Sequence, residues 1–297
     1  MIWLQNRRSI ARTGTKPSSK RNRTQQQKQR LKPMRKKGTK TYRYVIPVTE
    51  RSEHSPLLSV IIPAMNEERT IGKVVRLARR ICRDSEVIVV VNGSTDGTAR
   101  VARAAGARVI HYTEALGHDG GRQAGATVAR GNILLFTDAD IPISPEHLAP
   151  YVRAIMDGTD VALNDYNGPI TRIPIHPVVE AKHVLNSMLT RPDLEGASMT
   201  AIPHAISRKA LEVIGAESLE IPPLAHAKAV VGGLQVRAVH HVPVGRMNAV
   251  RSRKRKSTDL LSQVILTDHL TAIKWMTDTL GSRGGHSDLE RVRSLAR

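Results

Sequence analysis

The sequence predicts an α/β fold: a mainly parallel central sheet flanked by helices, preceded by a basic N-terminal tail. Three observations carry that expectation. From Leu57 onward, strand-like and helix-like stretches alternate four times, as in right-handed βαβ units. Aromatic residues make up 3% of the chain, with a single Phe. The core must therefore be filled by Val, Ile, Leu and Ala, which suits a sheet covered on both faces. Polar turns fall at the carboxyl ends of the predicted strands, where such sheets bind ligands.

The elements follow in order. "SVIIPA" (59–64) is a short apolar run, after which Ile71, Val74, Val75, Ala78, Ile81 and Cys82 recur at helical spacing. Asn66 is expected to cap that helix, with Glu67 and Glu68 in a first turn whose dipole favours acids. "EVIVVVNGSTDGTARVARAAGA" (86–107) repeats strand, polar turn, helix and closing Gly, with Asp96 as the expected cap. "RVIHY" (108–112) reads as a third strand, and "GRQAGATVARG" (121–131) as a helix running into the strand of "NILLFTDAD" (132–140).

The second half is less regular. "SPEHLAPYVRAIMDG" (144–158) reads as helix, "DVALNDY" (160–166) as strand, and "HPVVEAKHVLNSMLTRPDL" (176–194) contains another helix. "LQVRAVHHVPVGRM" (234–247) alternates like an edge strand. A Lys/Arg cluster at 251–256 precedes a helix from Thr258 to Leu280, with Leu260, Leu261, Val264, Ile265, Ile273, Met276 and Leu280 mainly on one face. That face either packs on the domain or lies in a membrane interface.

Charge is unevenly spread. The net charge is +20, yet residues 1–49 hold 15 Lys and Arg and no acid. The rest of the chain balances 31 basic residues against 26 acidic ones. Residues 1–52 lack apolar periodicity, so they are expected to be a disordered tail. Such a tail is either simply solvated or binds an anionic membrane surface or nucleic acid. The lone cysteine, Cys82, excludes an intramolecular disulfide and reads as a small buried apolar residue. "MIWL" is too short for a signal peptide, and no apolar run nears the roughly 20 residues that span a bilayer. A cytoplasmic protein, with peripheral contact at the inner face of the membrane, is the expectation.

"TDAD" raises the chemical question. Asp138 and Asp140 stand one residue apart at the end of an apolar strand, where their charges repel. A hard divalent cation such as Mg²⁺ or Mn²⁺ takes oxygen ligands and shares them with phosphates. Alone, such a pair also serves as a cap or a surface pair.

These motifs together resemble the inverting family 2 glycosyltransferases of GT-A fold. The resemblance rests on "SVIIPAMNEERTI" (59–71), "EVIVVVNGSTDGT" (86–98), "GGRQAGATVARG" (120–131) and "LLFTDADIPISPEHL" (134–148). "VHHVPVGRMNAVRSRK" (239–254) is more weakly similar to the dolichyl- and polyprenyl-phosphate branch. The resemblance implies a domain over 53–250, with a nucleotide-sugar half (53–150) and an acceptor half (151–250), followed by the basic cluster and helix of 251–297. It implies a UDP- or GDP-sugar donor and a cell-envelope, polysaccharide or lipid-linked acceptor.

By that resemblance Pro63, Ala64, Asn66 and Glu67 line the nucleotide pocket, and Asn92, with Ser94, stands where relatives usually offer an Asp to base or ribose. Gly121 allows close backbone approach, and Arg122 meets a phosphate or is an ordinary surface residue. Asp138 faces the sugar and ribose, Asp140 faces the metal, and His241 is the candidate third ligand. Arg246 and Arg251 hold donor diphosphate or acceptor phosphate. The late acidic pair that supplies the base in relatives is missing; "ESLEIPPLAHAKA" stands there, leaving Glu217, Glu220 and Asp193 as substitutes. A phosphate acceptor, already ionised, needs no base. A nucleic-acid-binding protein working through its tail is the reading from a different class.

Overall fold

The computed structural model describes residues 55–171, 173–247 and 260–287. The basic tail and Arg251, Arg253 and Lys254 of the basic cluster lie outside the described residues.

The first half runs β1 (Leu58–Ala64), α1 (Ile71–Ala78), β2 (Ser85–Asn92), α2 (Thr98–Ala104), β3 (Arg108–Tyr112), α3 (Gly120–Val128) and β4 (Ile133–Phe136). The second half runs α4 (Pro145–Met156), β5 (Val161–Asn164), α5 (Pro177–Met188), β6 (His204–Ser207), α6 (Arg208–Ile214), α7 (Pro222–Val231), β7 (Val236–His240), α8 (Val244–Met247) and α9 (Leu260–Leu280). Seven strands form one sheet in the order β3-β2-β1-β4-β6-β5-β7. β1 pairs in parallel with β2 and β4, and β2 with β3, as the alternation of strand and helix predicts. β6 is the exception: it runs antiparallel between β4 and β5. β7 closes the far edge, in parallel with β5.

Two apolar clusters cover the two faces of the sheet. One gathers Val60, Ile62, Val89 and Val91 with Ile71, Val75 and Cys82. The other gathers Ile61, Val90, Leu134 and Phe136 with Ala126, Leu211 and Ile214. The alternation along β1 and β2 thus feeds both layers. α3 lies so close to the sheet that a Cβ on Gly125 would stand 2.4 Å from Ile61 Cγ2. A third cluster joins Leu185 and Leu189, Ala227, and Ala272 and Met276 of α9. Helix α9 therefore packs on α5 and α7, while Leu260, Val264 and Leu270 stay exposed.

The turn after β1 differs from expectation. α1 begins at Ile71 with Thr70 as its N-cap, so Asn66 does not cap it. Asn66 takes a left-handed φ of 55°, which Asn tolerates better than most residues. Its Oδ1 accepts from Thr95 N at 2.8 Å, and its own N–H donates to Ser94 Oγ at 3.0 Å. Asp96 is not the N-cap of α2 either: Gly97 holds that position, and Asp96, one residue before it, accepts from Thr98 N at 2.9 Å and from Glu68 N at 3.2 Å. The Thr98 hydroxyl bond is the chief reason its carboxyl lies below the usual carboxylate range. The two turns are thereby knitted together.

Candidate active site

The carboxyl ends of β1, β2 and β4 open onto a cleft of about 580 Å³. Pro63, Ala64 and Glu67 line it after β1, Asn92 from β2, Arg122 from α3, and Asp138 and Asp140 after β4. The loop before α3 adds Gly117, His118 and Asp119, and later segments add Gly245 and Leu261.

Asp138 is the electrostatic centre. It sits deep in the cleft, with 38% of its side-chain surface open to it. Burial pushes its carboxyl above the usual carboxylate range; Arg122 opposes that, while Asp140 and Asp119 add to it. Arg122, 6% exposed, is no surface residue. It is held 3.2 Å from Asp119, 3.8 Å from Asp138 and 3.4 Å from the carbonyl of Met199. One guanidinium therefore serves two carboxylates, and the cleft stays acid-rich. Such a site favours a cation. Among the described residues no group of three His, Cys, Asp or Glu is placed to hold a metal. Asp138 and Asp140 fit an ion that completes its shell with phosphate oxygens and water, the usual habit of Mg²⁺.

Asn92 is buried, and its amide is turned to the protein. Its Nδ2 donates to Gly117 O at 3.2 Å, and its Oδ1 accepts from Leu116 N. The residue lines the cleft and also fixes the loop that forms the opposite wall. Glu67 N–H donates to Thr98 Oγ1 at 2.8 Å, and its carboxylate accepts from Thr70 Oγ1 at 2.9 Å.

Other expected residues stand elsewhere. Asn66 and Ser94 bind each other behind the wall. Gly121 allows close approach, but of Pro63: a Cβ there would stand 3.0 Å from Pro63 Cβ. The structure does not bring His241 into a three-ligand group with Asp138 and Asp140; its ring bonds the carbonyl of Asp165 and lies beside Tyr166. Glu217 is turned to Lys228 at 3.4 Å, because that lysine is held by Ser218 Oγ and the Ile214 carbonyl next to it. Exposed Glu220 is nearer the cleft, 3.9 Å from where a Cβ on Gly120 would stand. Exposed Asp193 pairs with Arg191 at 2.7 Å. Arg246 lies in α8, next to cleft-lining Gly245. Arg251 is outside the described residues. His118, Asp119, Gly245 and Leu261 were not anticipated. The "HD" before the α3 glycines was the available signal for the first two.

Residues 59–207, half of the chain, match the family model described as Glycosyl transferase family 2. The chain belongs to this family. Among its relatives, 4,4'-diaponeurosporenoate glycosyltransferase of Staphylococcus haemolyticus is 30% identical over 152 residues, 49% of this chain and 39% of that protein. The dolichyl-phosphate hexose transferase of Haloferax volcanii is 34% identical over 108 residues, 36% of this chain and 47% of that protein. The matches thus span less than half the length of these relatives. Glucosyl-3-phosphoglycerate synthase of Mycobacterium tuberculosis, solved with Mn²⁺, UDP and phosphoglyceric acid, is similar in fold. Its TM-score is 0.52 at 23% identity, covering 78% of this chain and 80% of that one. The family 2 match ends at β6, so α7, β7 and α9 lie beyond it.

Proposed function

We propose that this family 2 member is an inverting, divalent-cation-dependent glycosyltransferase. It moves a sugar from a UDP- or GDP-linked donor to a cell-envelope or lipid-linked acceptor. The observation that carries the reading is the Asp138–Asp140 pair, opened to a cleft at the end of β4 and only partly compensated by Arg122. Mn²⁺ or Mg²⁺ held by these carboxylates would stabilise the charge that develops on the departing nucleoside diphosphate. The chain's own residues do the rest. Pro63 and Ala64 face the Gly117 loop that Asn92 holds, which makes a slot for the nucleoside. Arg122 keeps Asp138 and Asp119 apart and fixed. One in-line displacement from the open side of the cleft inverts the anomeric centre.

Two features favour an acceptor at a membrane surface, including a polyprenyl phosphate. The Haloferax relative is named for a dolichyl-phosphate acceptor. In this chain, the basic run at 251–256 leads straight into an α9 whose first turns expose Leu260 (68%) and Val264 (45%), a combination suited to an anionic interface. Among the described residues no helix is long and apolar enough to cross a membrane. Thermal-shift screening of nucleoside-diphosphate sugars with and without Mn²⁺ tests the donor. Stabilisation by a UDP- or GDP-sugar that needs the cation is expected. Cation-independent shifts, or none across the panel, would count against the reading.

A further inference from the structure

The loop between β5 and α5 is fastened at both ends and bare in the middle. At its start, Asp165 N donates to the carbonyl of His240 at 3.0 Å, and the His241 ring bonds the Asp165 carbonyl. A Cβ on cleft-lining Gly245 would stand 2.8 Å from the Tyr166 hydroxyl oxygen, so this root belongs to the rim of the cleft. At the other end His176 caps α5, its Nδ1 accepting from Val178 N at 3.3 Å. Between the anchors the chain reads "NGPITRIPI" (167–175). Ile173 is 97% exposed, and Ile170 and Ile175 are exposed with it. Single exposed apolar side chains are ordinary on a protein surface. Three isoleucines within six residues of one loop instead mark an interaction surface. Met247, two residues past Gly245 in α8, is exposed too.

Charge says what covers them. From Tyr166 to Val179 the sequence holds no acid, and from His240 to Thr258 it holds six Lys or Arg and again no acid. Glu195 reaches the loop, but it accepts from Asn167 at the root. Exposed aliphatic side chains in basic, acid-free stretches suit an anionic bilayer: the apolar groups enter the headgroup and acyl boundary, and the cations are drawn to the lipid headgroups. We propose that the β5–α5 loop is a membrane-docking element. Ile170, Ile173 and Ile175 enter the boundary of an anionic bilayer and set the rim of the cleft against the surface where a lipid-linked acceptor resides. The proposal deepens the membrane-surface reading of the acceptor and rests on it. Donor binding is left to the cleft, which none of the three isoleucines lines.

The test co-sediments four full-length proteins with sucrose-loaded vesicles of phosphatidylcholine, alone or mixed equally with phosphatidylglycerol. They are wild type, Ile173→Asp, the triple variant Ile170→Ser, Ile173→Ser, Ile175→Ser, and the control Val213→Asp. Val213 is an exposed residue of α6, so the control makes the same change of charge on a different element. Wild type and Val213→Asp are expected to bind the anionic vesicles. Ile173→Asp and the triple variant should lose about ten-fold or more in partition coefficient. All four should keep the wild-type Tm and the same affinity for UDP with Mn²⁺. Equal binding by all four, or an equal loss in Val213→Asp, would overturn the loop assignment and leave the membrane-surface acceptor standing. Failure of wild type to bind anionic vesicles would overturn both. A wild-type dimer in lipid-free buffer that the triple variant breaks would assign the isoleucines to a second copy of the chain instead. Should the triple variant not fold, Ile173→Asp decides alone, because that side chain is almost wholly in solvent.

Discussion

Arg122 and Asp138 face each other at 3.8 Å across the floor of the cleft, and the same guanidinium lies 3.2 Å from Asp119. Removing it would strand two carboxylates in a poorly solvated place, whereas the pair with its partner costs little. Arg122→Met should therefore lose on the order of 3 kcal/mol in urea unfolding. Arg122→Lys should lose less but still disturb the site, because an ammonium cannot reach both acids as a planar fork does. A loss below about 1 kcal/mol for the Met variant would show that the guanidinium is not what compensates the acids.

Asn92 invites a tempting repair, since the family resemblance places an Asp there. The structure predicts that Asn92→Asp harms the protein. Its Nδ2 donates to the Gly117 carbonyl, and a carboxylate would instead set charge against that oxygen. A loss of about 1–3 kcal/mol in stability is expected, together with weaker UDP binding as the 116–117 wall loosens. Tighter UDP binding by a fully stable Asn92→Asp protein would refute the wall-holding role.

Buried histidines set the acid limit of the fold. His204, stacked on Phe136, and His226, bonded to Asn186 Oδ1 at 2.7 Å, are both pushed down to about 3 by burial. Their folded pKa values lie below the ordinary 6.5, so the unfolded chain takes up protons first as pH falls. Stability is fully present above pH 6.5 and is lost as pH falls from there towards 3. Each such histidine contributes up to about 1.4 kcal/mol per pH unit in that window. The Tm should drop steadily between pH 7 and 4, and His226→Gln should flatten the slope. A Tm independent of pH over that range would contradict the burial of both rings.

Much of the fold was legible because its signals are local. β1, β2 and β4 are apolar runs stopped by polar turns, and α4 and α5 start from Pro at the first helical position. β6 was not legible: "HAIS" is four residues without alternation, and only pairing with β4 and β5 makes it a strand. The site divides the same way. Asp138 and Asp140 announce themselves by their spacing at a strand end. The Asn92 amide looked like a ligand group because sequence does not show that backbone 25 residues away takes up its hydrogen bonds. Leu261 was invisible as a cleft residue, since packing of α9 on α5 and α7 is what brings the helix to the first half.

In the proposed function Asp138 and Asp140 hold a divalent cation that in turn holds the donor diphosphate. Isothermal titration of UDP into wild type and Asp140→Ala, each with Mn²⁺ and with chelator, tests it most directly. Mn²⁺ should strengthen UDP binding to wild type at least ten-fold. Asp140→Ala, folded and with unchanged Tm, should bind UDP equally weakly with or without the ion. Equal Mn²⁺ enhancement in both proteins would contradict it.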